Sequence, residues 1–339
     1  MTTAEASLQR TSTVSTRYAT FMSRHASLVP TFAAVLILLV LLVGAQVQFE
    51  NFLTPGNLSA LLLDNAYLVV LAVGLTLVII TGGIDLSVGS VMAFTGILCA
   101  SLLSQGLPAV VVVPIMLLGG GAIGLLIGVL VQYFNVQPFI ASLAGLFLAR
   151  GLAFVVSLSS IRVEDPAILW LQRTRFTVGE WYITPTGIIA LLVVALGAVV
   201  MQWTRFGRTI YALGGGEQSA RLMGLKVART KILVYVISGV CGGLAGLLLT
   251  AYSGAGYPRN GIGTELDAIA AVVIGGTLLT GGTGYVLGSL VGVLVYGTIK
   301  KIISFMGAEQ AWMQIIIGGL LLLFIVVQRV IVARSQRRT

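Results

Sequence analysis

Long apolar segments separated by short polar ones occupy most of the chain. A helix needs about 20 mainly apolar residues to cross a membrane, and ten segments approach or exceed that length. They lie near residues 28–48, 61–81, 85–104, 108–131, 139–158, 185–203, 230–252, 265–280, 284–305 and 312–331. The pattern predicts an all-α fold, a polytopic membrane bundle of about ten transmembrane helices. The eighth segment is short and rich in small residues, which favours a re-entrant or broken helix.

Composition and charge also indicate a membrane protein. Of the 339 residues, 57% are hydrophobic and only 9% are charged, whereas soluble domains carry about 25% charged residues. Basic residues concentrate before the first segment, in the loop at about 204–231 and after the last segment. Because basic loops mark the cytoplasmic side, both termini are predicted to be cytoplasmic. The net charge of +9 is thus a sign of topology, not of nucleic-acid binding. Lys300 and Lys301 fall on the opposite side as an exception.

The predicted organisation has three parts. Residues 1–27 are polar, as in a flexible cytoplasmic tail that precedes an uncleaved first helix. Residues 28–331 form the predicted transmembrane domain, and residues 332–339 form a basic cytoplasmic tail. One His and two Cys inside apolar segments leave no recognisable metal site, and no G-x-x-x-x-G-K-[ST] motif occurs. We therefore expect no cofactor or metal and no nucleotide-binding site within the chain.

A polar, glycine-rich break separates the second and third apolar segments. It consists of Thr81, Gly82, Gly83, Ile84, Asp85, Leu86 and Ser87. The glycines can end one helix, and Asp85 or Ser87 can cap the next by accepting a backbone hydrogen bond. Alternatively the break lines a water-filled path, because irregular backbone at membrane depth survives only there or inside protein. The sequence leaves both interpretations open.

A second break repeats part of this motif. Thr-Gly-Gly at 280–282 and Gly-Ser at 288–289 match the residues at 81–83 and 89–90 at identical offsets. Two similar breaks suggest an internal repeat, as in many transporters. The ten-segment count places both breaks on the same side of the membrane, which does not fit an inverted repeat.

Arg150 is the only charged residue in its apolar segment. An arginine at that depth costs a few kcal/mol unless it is paired or faces a cavity. We expect a carboxylate partner, with Asp85 and Asp64 as candidates. Structural pairing is favoured over direct contact with a substrate.

The loop at about 204–231 contains a predicted short helix. After three glycines, residues 217–224 read Glu-Gln-Ser-Ala-Arg-Leu-Met-Gly, with an acidic first turn and a closing glycine. This helix is predicted to present Ala220, Leu222 and Met223 to the cytoplasm. Such a helix can dock in a groove of a partner or lie on the bilayer surface.

Residues 73–90, this loop and residues 265–277 together resemble the permease subunits of bacterial ribose-type sugar ABC importers. The similarity extends over nearly the whole chain. Residues 92–96, 205–207, 255–257 and 275–279 are most similar to the galactofuranose importer permease. The resemblance implies import of a monosaccharide, galactofuranose or a related sugar, across the bacterial cytoplasmic (inner) membrane. It also implies three protein partners: an ATP-binding cassette ATPase subunit, a second permease that is the same or a sister chain, and a periplasmic or extracellular sugar-binding protein.

Candidate site residues follow from the motifs and from the resemblance. The ATPase coupling loop would contain Glu217, Ala220, Arg221, Leu222, Met223 and Gly224. The translocation path or its gate would contain Thr81, Gly82, Gly83, Asp85, Ser87, Arg150, Gly275 and Gly276. Tyr252 and Tyr257 fall near the outer face and could contact the sugar or the binding protein, although interfacial aromatics are more often anchors in the membrane surface.

Two other function classes stay open at the level of sequence. An ion-coupled secondary sugar transporter would use Asp85 and would need no ATPase. A membrane enzyme acting on a lipid-linked sugar would need paired acids, and only Glu265 and Asp267 resemble such a pair. A helix start explains those two acids equally well.

Overall fold

The computed structural model describes residues 29–307 and 309–336, which are mostly helical; the predicted tail at 1–27 lies outside them. The described helices are α1 (Val29–Gln48), α2 (Pro55–Ile80), α3 (Val88–Ser104), α4 (Ala109–Tyr133), α5 (Pro138–Val156), α6 (Pro166–Arg173), α7 (Pro185–Trp203), α8 (Arg205–Gly215), α9 (Glu217–Leu222), α10 (Val227–Ser253), α11 (Thr264–Ile274), α12 (Val286–Phe305) and α13 (Gln310–Gln336). Four short strands are β1 (Ile161–Arg162), β2 (Phe176–Val178), β3 (Trp181–Ile183) and β4 (Ala255–Gly256).

Each of the ten predicted segments contains a helix, but the prediction of about ten transmembrane helices is not confirmed. Seven helices in the described part of the chain are long and apolar enough to cross a membrane, namely α1, α2, α4, α5, α7, α10 and α12. The helices α3 and α11 have 17 and 11 residues, and the apolar part of α13 is also short. An 11-residue helix is about 16 Å long, roughly half of a bilayer core.

Helix α10 lies at the centre of the bundle, packed against α2, α3 and α4. A Cβ atom on Gly120 or Gly124 of α4 would overlap the carbonyl oxygen of Gly239 or Tyr235 on α10. On another face of α10, a Cβ atom on Gly74 of α2 would lie 2.9 Å from Cys241 Cβ. Glycine therefore lets three helices pack backbone to backbone, where lipid provides no hydrophobic drive for association.

The two ends of the bundle differ in structure. Strands β2 and β3 form an antiparallel hairpin, and β3 is held to α2 by a hydrogen bond from Tyr182 N to Ser59 Oγ. At the other end of α7, the chain continues into α8 and α9. We call these the hairpin end and the loop end. Helix α6 and the hairpin were not predicted from sequence, where residues 159–184 read as a simple connection.

Two crossings are interrupted by non-helical backbone. Between α2 and α3 the chain turns at Gly82, whose φ is +80°, and stays non-helical as far as Ser87. Between α10 and α11 it forms β4, which pairs with β1, and then returns alongside α3. A Cβ atom on Gly256 would touch Gly96 O at 2.6 Å, and one on Gly261 would touch Gly89 O at 2.7 Å. Helix α11 therefore begins inside the bundle, as expected for a broken helix.

Candidate translocation and coupling site

The first break is fastened by Asp85, which is fully buried. Its Oδ1 accepts hydrogen bonds from Ser87 N at 2.9 Å and from Ser87 Oγ at 2.6 Å. Its Oδ2 accepts one from Ser238 Oγ of α10 at 2.7 Å. Ser87 is the N-cap residue of α3, but its side chain makes no capping hydrogen bond to that helix. Asp85 thus ties non-helical backbone to α10, and this geometry favours the structural interpretation of the break.

Arg150 holds the turns that follow β4 in the second interruption. Its Nη1 donates to the carbonyl oxygens of Pro258 at 2.6 Å and Asn260 at 2.8 Å. The prediction that Asp85 or Asp64 pairs with Arg150 is therefore wrong. Carbonyl groups of irregular buried backbone need donors as much as a buried guanidinium needs acceptors. The carboxylate of Glu265 lies within electrostatic range of Arg150.

The two glycine-rich breaks meet at the loop end. Gly282 N donates to Ile80 O at 2.8 Å, and a Cβ atom on Gly281 would lie 2.8 Å from Gly82 N. The two breaks therefore lie on the same side, in agreement with the ten-segment count. Gly275 ends α11 and packs directly on Gly288, where a Cβ atom would overlap a carbonyl oxygen. Gly276 follows with a φ of +100°, which other residues rarely adopt.

Helix α8 packs on both breaks. A Cβ atom on Gly214 would overlap Ile80 O of the first break and Gly282 N of the second. Tyr211 OH donates to Gly284 O at 2.7 Å. The sequence indicated the glycines of this loop as a cap, but contained no sign that one of them would touch both breaks.

Helix α9 follows at once and exposes two large apolar side chains. Leu222 is 84% exposed and Met223 is 65% exposed. Ala220 is fully buried and packs with Leu213 and Val227, so the prediction that it faces the cytoplasm is wrong. Because the helix has only six residues, its inner face must seat on α8 and the start of α10. The chain then reverses at Gly224, whose φ is +73°.

An ion-pair network joins α9 to α10. The Glu217 carboxylate binds Arg221 Nη2 at 2.6 Å and Lys231 Nζ at 2.5 Å. Partial burial raises the pKa of Glu217, but the hydrogen bonds and charges of Lys231 and Arg221 outweigh it and lower this pKa below the ordinary value. Glu217 and Lys231 also line a cavity of about 280 Å³. The cavity reaches Thr81, Gly82, Gly83 and the buried Tyr235, so the loop and the first break share one space.

The two tyrosines predicted at the outer face lie near the hairpin end. Tyr252 is in the last turn of α10 and is 46% exposed. Tyr257 is half-buried in the non-helical segment before α11. Sequence analysis did not connect Tyr252 with Asp64 of α2, which lies within electrostatic range of its hydroxyl.

Comparison with known proteins decides the family. A family described as the permease component of the branched-chain amino acid transport system matches residues 57–325. The chain belongs to this permease family. It is 44% identical over 322 residues to the fructose import permease protein FruG of Bifidobacterium longum, covering 90% of this chain and 92% of that protein.

Two relatives from Escherichia coli extend the comparison. The inner membrane ABC transporter permease protein YjfF is 43% identical over 285 residues, covering 83% of this chain and 86% of that protein. The ribose import permease protein RbsC is 39% identical over 298 residues, covering 87% and 92%. These matches confirm the resemblance to ribose-type ABC permeases. Together with the seven apolar helices they make this permease a multi-pass membrane protein.

Proposed function

We propose that this permease is the transmembrane subunit of an ABC importer that carries a monosaccharide inward. The names of relatives include import permeases for fructose and ribose, and the motifs at 92–96, 205–207, 255–257 and 275–279 favour galactofuranose or a related sugar. A separate ATPase drives the cycle, a sugar-binding protein delivers the sugar, and a second permease, the same or a sister chain, completes the pore. Ion-coupled secondary transport is the alternative.

One observation carries the proposal: the segment predicted to dock on the ATPase is continuous with a helix that touches both breaks. Leu222 and Met223 are exposed as a docking tip, while Gly214 of the preceding helix packs on Ile80 and Gly282. Movement of the tip would reach both interrupted crossings through this contact. A bound ATPase can shift the permease between states only if it binds one of them more tightly.

The proposed gate consists of the glycine pairs and the side chains that hold the non-helical backbone. Gly82, Gly83, Gly275 and Gly276 provide the flexible joints beside Thr81. Asp85 with Ser87, and Arg150, provide the fixed points, because each anchors non-helical chain by at least two hydrogen bonds. In this proposal the sugar passes between the two breaks, and Tyr252 and Tyr257 contact it or its binding protein at the outer face.

The proposed orientation places the loop end in the cytoplasm. Thr31 Oγ1 of α1 donates to Gly275 O at 3.2 Å, so the beginning of α1 lies at the loop end. Helix α12 runs to the hairpin end, from which α13 departs. These observations support cytoplasmic termini in the bacterial inner membrane. In this proposed orientation Lys301 lies at the outer side, where its Nζ donates to Asn57 O at 2.7 Å.

Two substitutions test ATPase docking as a matched pair. Met223→Asp and Met306→Asp change methionines that are 65% and 64% exposed at opposite ends of the bundle. A charge in an apolar docking interface leaves a desolvated, unpaired group, so Met223→Asp should abolish uptake and ATPase copurification while the protein still inserts. Met306→Asp should retain both. Normal ATPase association of Leu222→Asp/Met223→Asp would reject the docking role.

Gentle purification of the tagged chain from its host's membranes separates the importer from the secondary transporter. Mass spectrometry should recover an ATPase subunit, a permease partner and a sugar-binding protein. Sugar uptake by the purified chain alone, with a pH dependence removed by Asp85→Asn, would instead establish ion-coupled transport.

A further inference from the structure

Five polar side chains from four helices converge toward the hairpin end. The sequence analysis did not group these five residues. Their polar groups are two carboxylates and three phenol hydroxyls. They are Asp64 and Tyr67 of α2, Tyr252 of α10, Asp267 of α11 and Tyr296 of α12. We call this set the tyrosine–aspartate cluster.

One hydrogen bond and several short-range electrostatic interactions join the cluster. Tyr296 OH donates to Asp267 Oδ2 at 2.9 Å, and Tyr252 lies within electrostatic range of Asp64. Tyr67 lies within electrostatic range of both carboxylates and of Tyr252. The cluster is therefore one site shared by α2, α10, α11 and α12.

The cluster lies at membrane depth. Asp64 follows the beginning of α2 at Pro55 by nine residues, which is about 13 Å along a helix. The next residue, Asn65, is only 2% exposed and lies against Gly297 of α12. Charged groups at this depth are costly and commonly serve a pathway. Two carboxylates held there by four helices therefore call for a reason beyond helix packing.

The cluster leaves acceptors unused. An ionised carboxylate can accept about four hydrogen bonds, whereas Asp267 receives one tyrosine hydroxyl, that of Tyr296. Within residues 29–307 and 309–326 neither Asp64 nor Asp267 forms a salt bridge. Lys301, the cation facing Asp64, donates to a backbone carbonyl instead, and Lys300, the cation facing Asp267, is exposed. The buried Asn65 Oδ1 beside the cluster also has no hydrogen-bond partner in this part of the chain.

Accessibility distinguishes this site from a sealed core. Tyr252 is 46% exposed, and Asp64, Tyr67 and Asp267 are half-buried. Unused acceptors next to reachable aromatic rings suit a ligand with many hydroxyl donors and apolar C–H faces.

We infer that the tyrosine–aspartate cluster binds the transported sugar, an uncharged monosaccharide, in the outer half of the path. The inference rests on the proposed import function and adds the residues that contact the cargo. Asp64 and Asp267 accept hydrogen bonds from sugar hydroxyls, and Tyr67 and Tyr252 pack against the ring.

The test uses the complete importer, purified with its partners and reconstituted in liposomes. D-Fructose, D-ribose, L-arabinose and D-galactose are the probes, each beside its deoxy analogues. In Asp64→Asn and Asp267→Asn importers, uptake of the preferred sugar should fall at least about tenfold. The amide side chain keeps the shape of the carboxylate but replaces one acceptor oxygen by an NH2 donor. Discrimination against one deoxy analogue should also shrink about tenfold. Glu164→Gln, on a 79% exposed surface acid, should change neither.

Discrimination between the preferred sugar and its deoxy analogues distinguishes residues that contact the sugar from residues with only a structural role. The binding protein is the same in every sample, so its own selectivity cancels between wild type and variant. Unchanged uptake in both Asp variants would overturn the inference, and so would reduced uptake with unchanged discrimination. If the Asp variants do not assemble, Tyr252→Phe and Tyr296→Phe decide by the same two readouts. Absence of ATP-dependent sugar uptake by the wild-type importer would reject the proposed function itself.

Discussion

Asp85 and Asp267 are both membrane-embedded carboxylates next to an interrupted crossing, yet their surroundings differ. Asp85 is fully buried and accepts three hydrogen bonds from Ser87 and Ser238. Asp267 is half-buried and accepts one, from Tyr296. A carboxylate whose acceptor positions are all used by groups of the same protein stabilises the fold. A carboxylate with unused acceptor positions that are accessible from outside can bind a ligand.

Removal of Asp85 should have the largest effect on stability. Asp85→Ala leaves the donors of Ser87 and Ser238 buried and unpaired, at about 1–3 kcal/mol each. We expect a lower yield of inserted protein and a lower unfolding temperature in detergent. Asp267→Ala is the matched comparison and should reduce stability less but sugar uptake more. Equal unfolding temperatures for the two variants would contradict the proposal that Asp85 stabilises the fold more than Asp267 does.

Gly214→Ala should separate ATP hydrolysis from transport. Its Cβ atom would overlap Ile80 O and Gly282 N, and overpacking costs about 1–3 kcal/mol. Displacing α8 from both breaks should lower sugar uptake several-fold while the ATPase stays bound and hydrolyses ATP. The neighbouring Gly215→Ala is the control, because nothing lies within 4 Å of its added Cβ. If both variants transport normally, α8 does not transmit movement to the breaks.

The smallest predicted effect concerns the Glu217 network. Because the folded-state pKa of Glu217 is lowered, its stabilising contribution is present above the unfolded value of about 4.5 and is lost as the pH falls through the folded-state pKa. Solvent screening limits this contribution to well under about 1 kcal/mol. After correction for the intrinsic pH dependence of amide exchange, the protection of the α9 amides should therefore fall modestly below a pH of about 4.5 and with added salt. Glu217→Gln should remove the pH response, and an unaltered response would assign it to another group.

The helices could be predicted from the sequence because membrane crossing is encoded locally. Each of the ten apolar segments contains a helix, and the weak eighth segment became the short α11. Helix α6 and the β2–β3 hairpin were missed because both are short and lie between longer apolar segments. The two strands of the hairpin have only three residues each.

The site was less predictable because its partners are distant or carry no sequence signal. Arg150 binds peptide carbonyls, which every residue possesses, so no motif could identify them. Ser87 lay within the predicted break, whereas Ser238 lies among apolar residues and glycines in α10, where no motif marked it as a partner of Asp85. The prediction for Ala220 was wrong because a six-residue helix has too little pattern to reveal which face is covered.

The backbone contact between α4 and α10 bears on what can move during transport. Side chains that interdigitate can slide or change rotamer, but two main chains separated only by glycine hydrogens have nothing to rearrange. Helices α4 and α10 should therefore stay fixed relative to each other while α8, α11 and the interrupted crossings move. Distances between probes on α4 and α10 should stay constant through the ATP cycle, while those from α10 to α11 change.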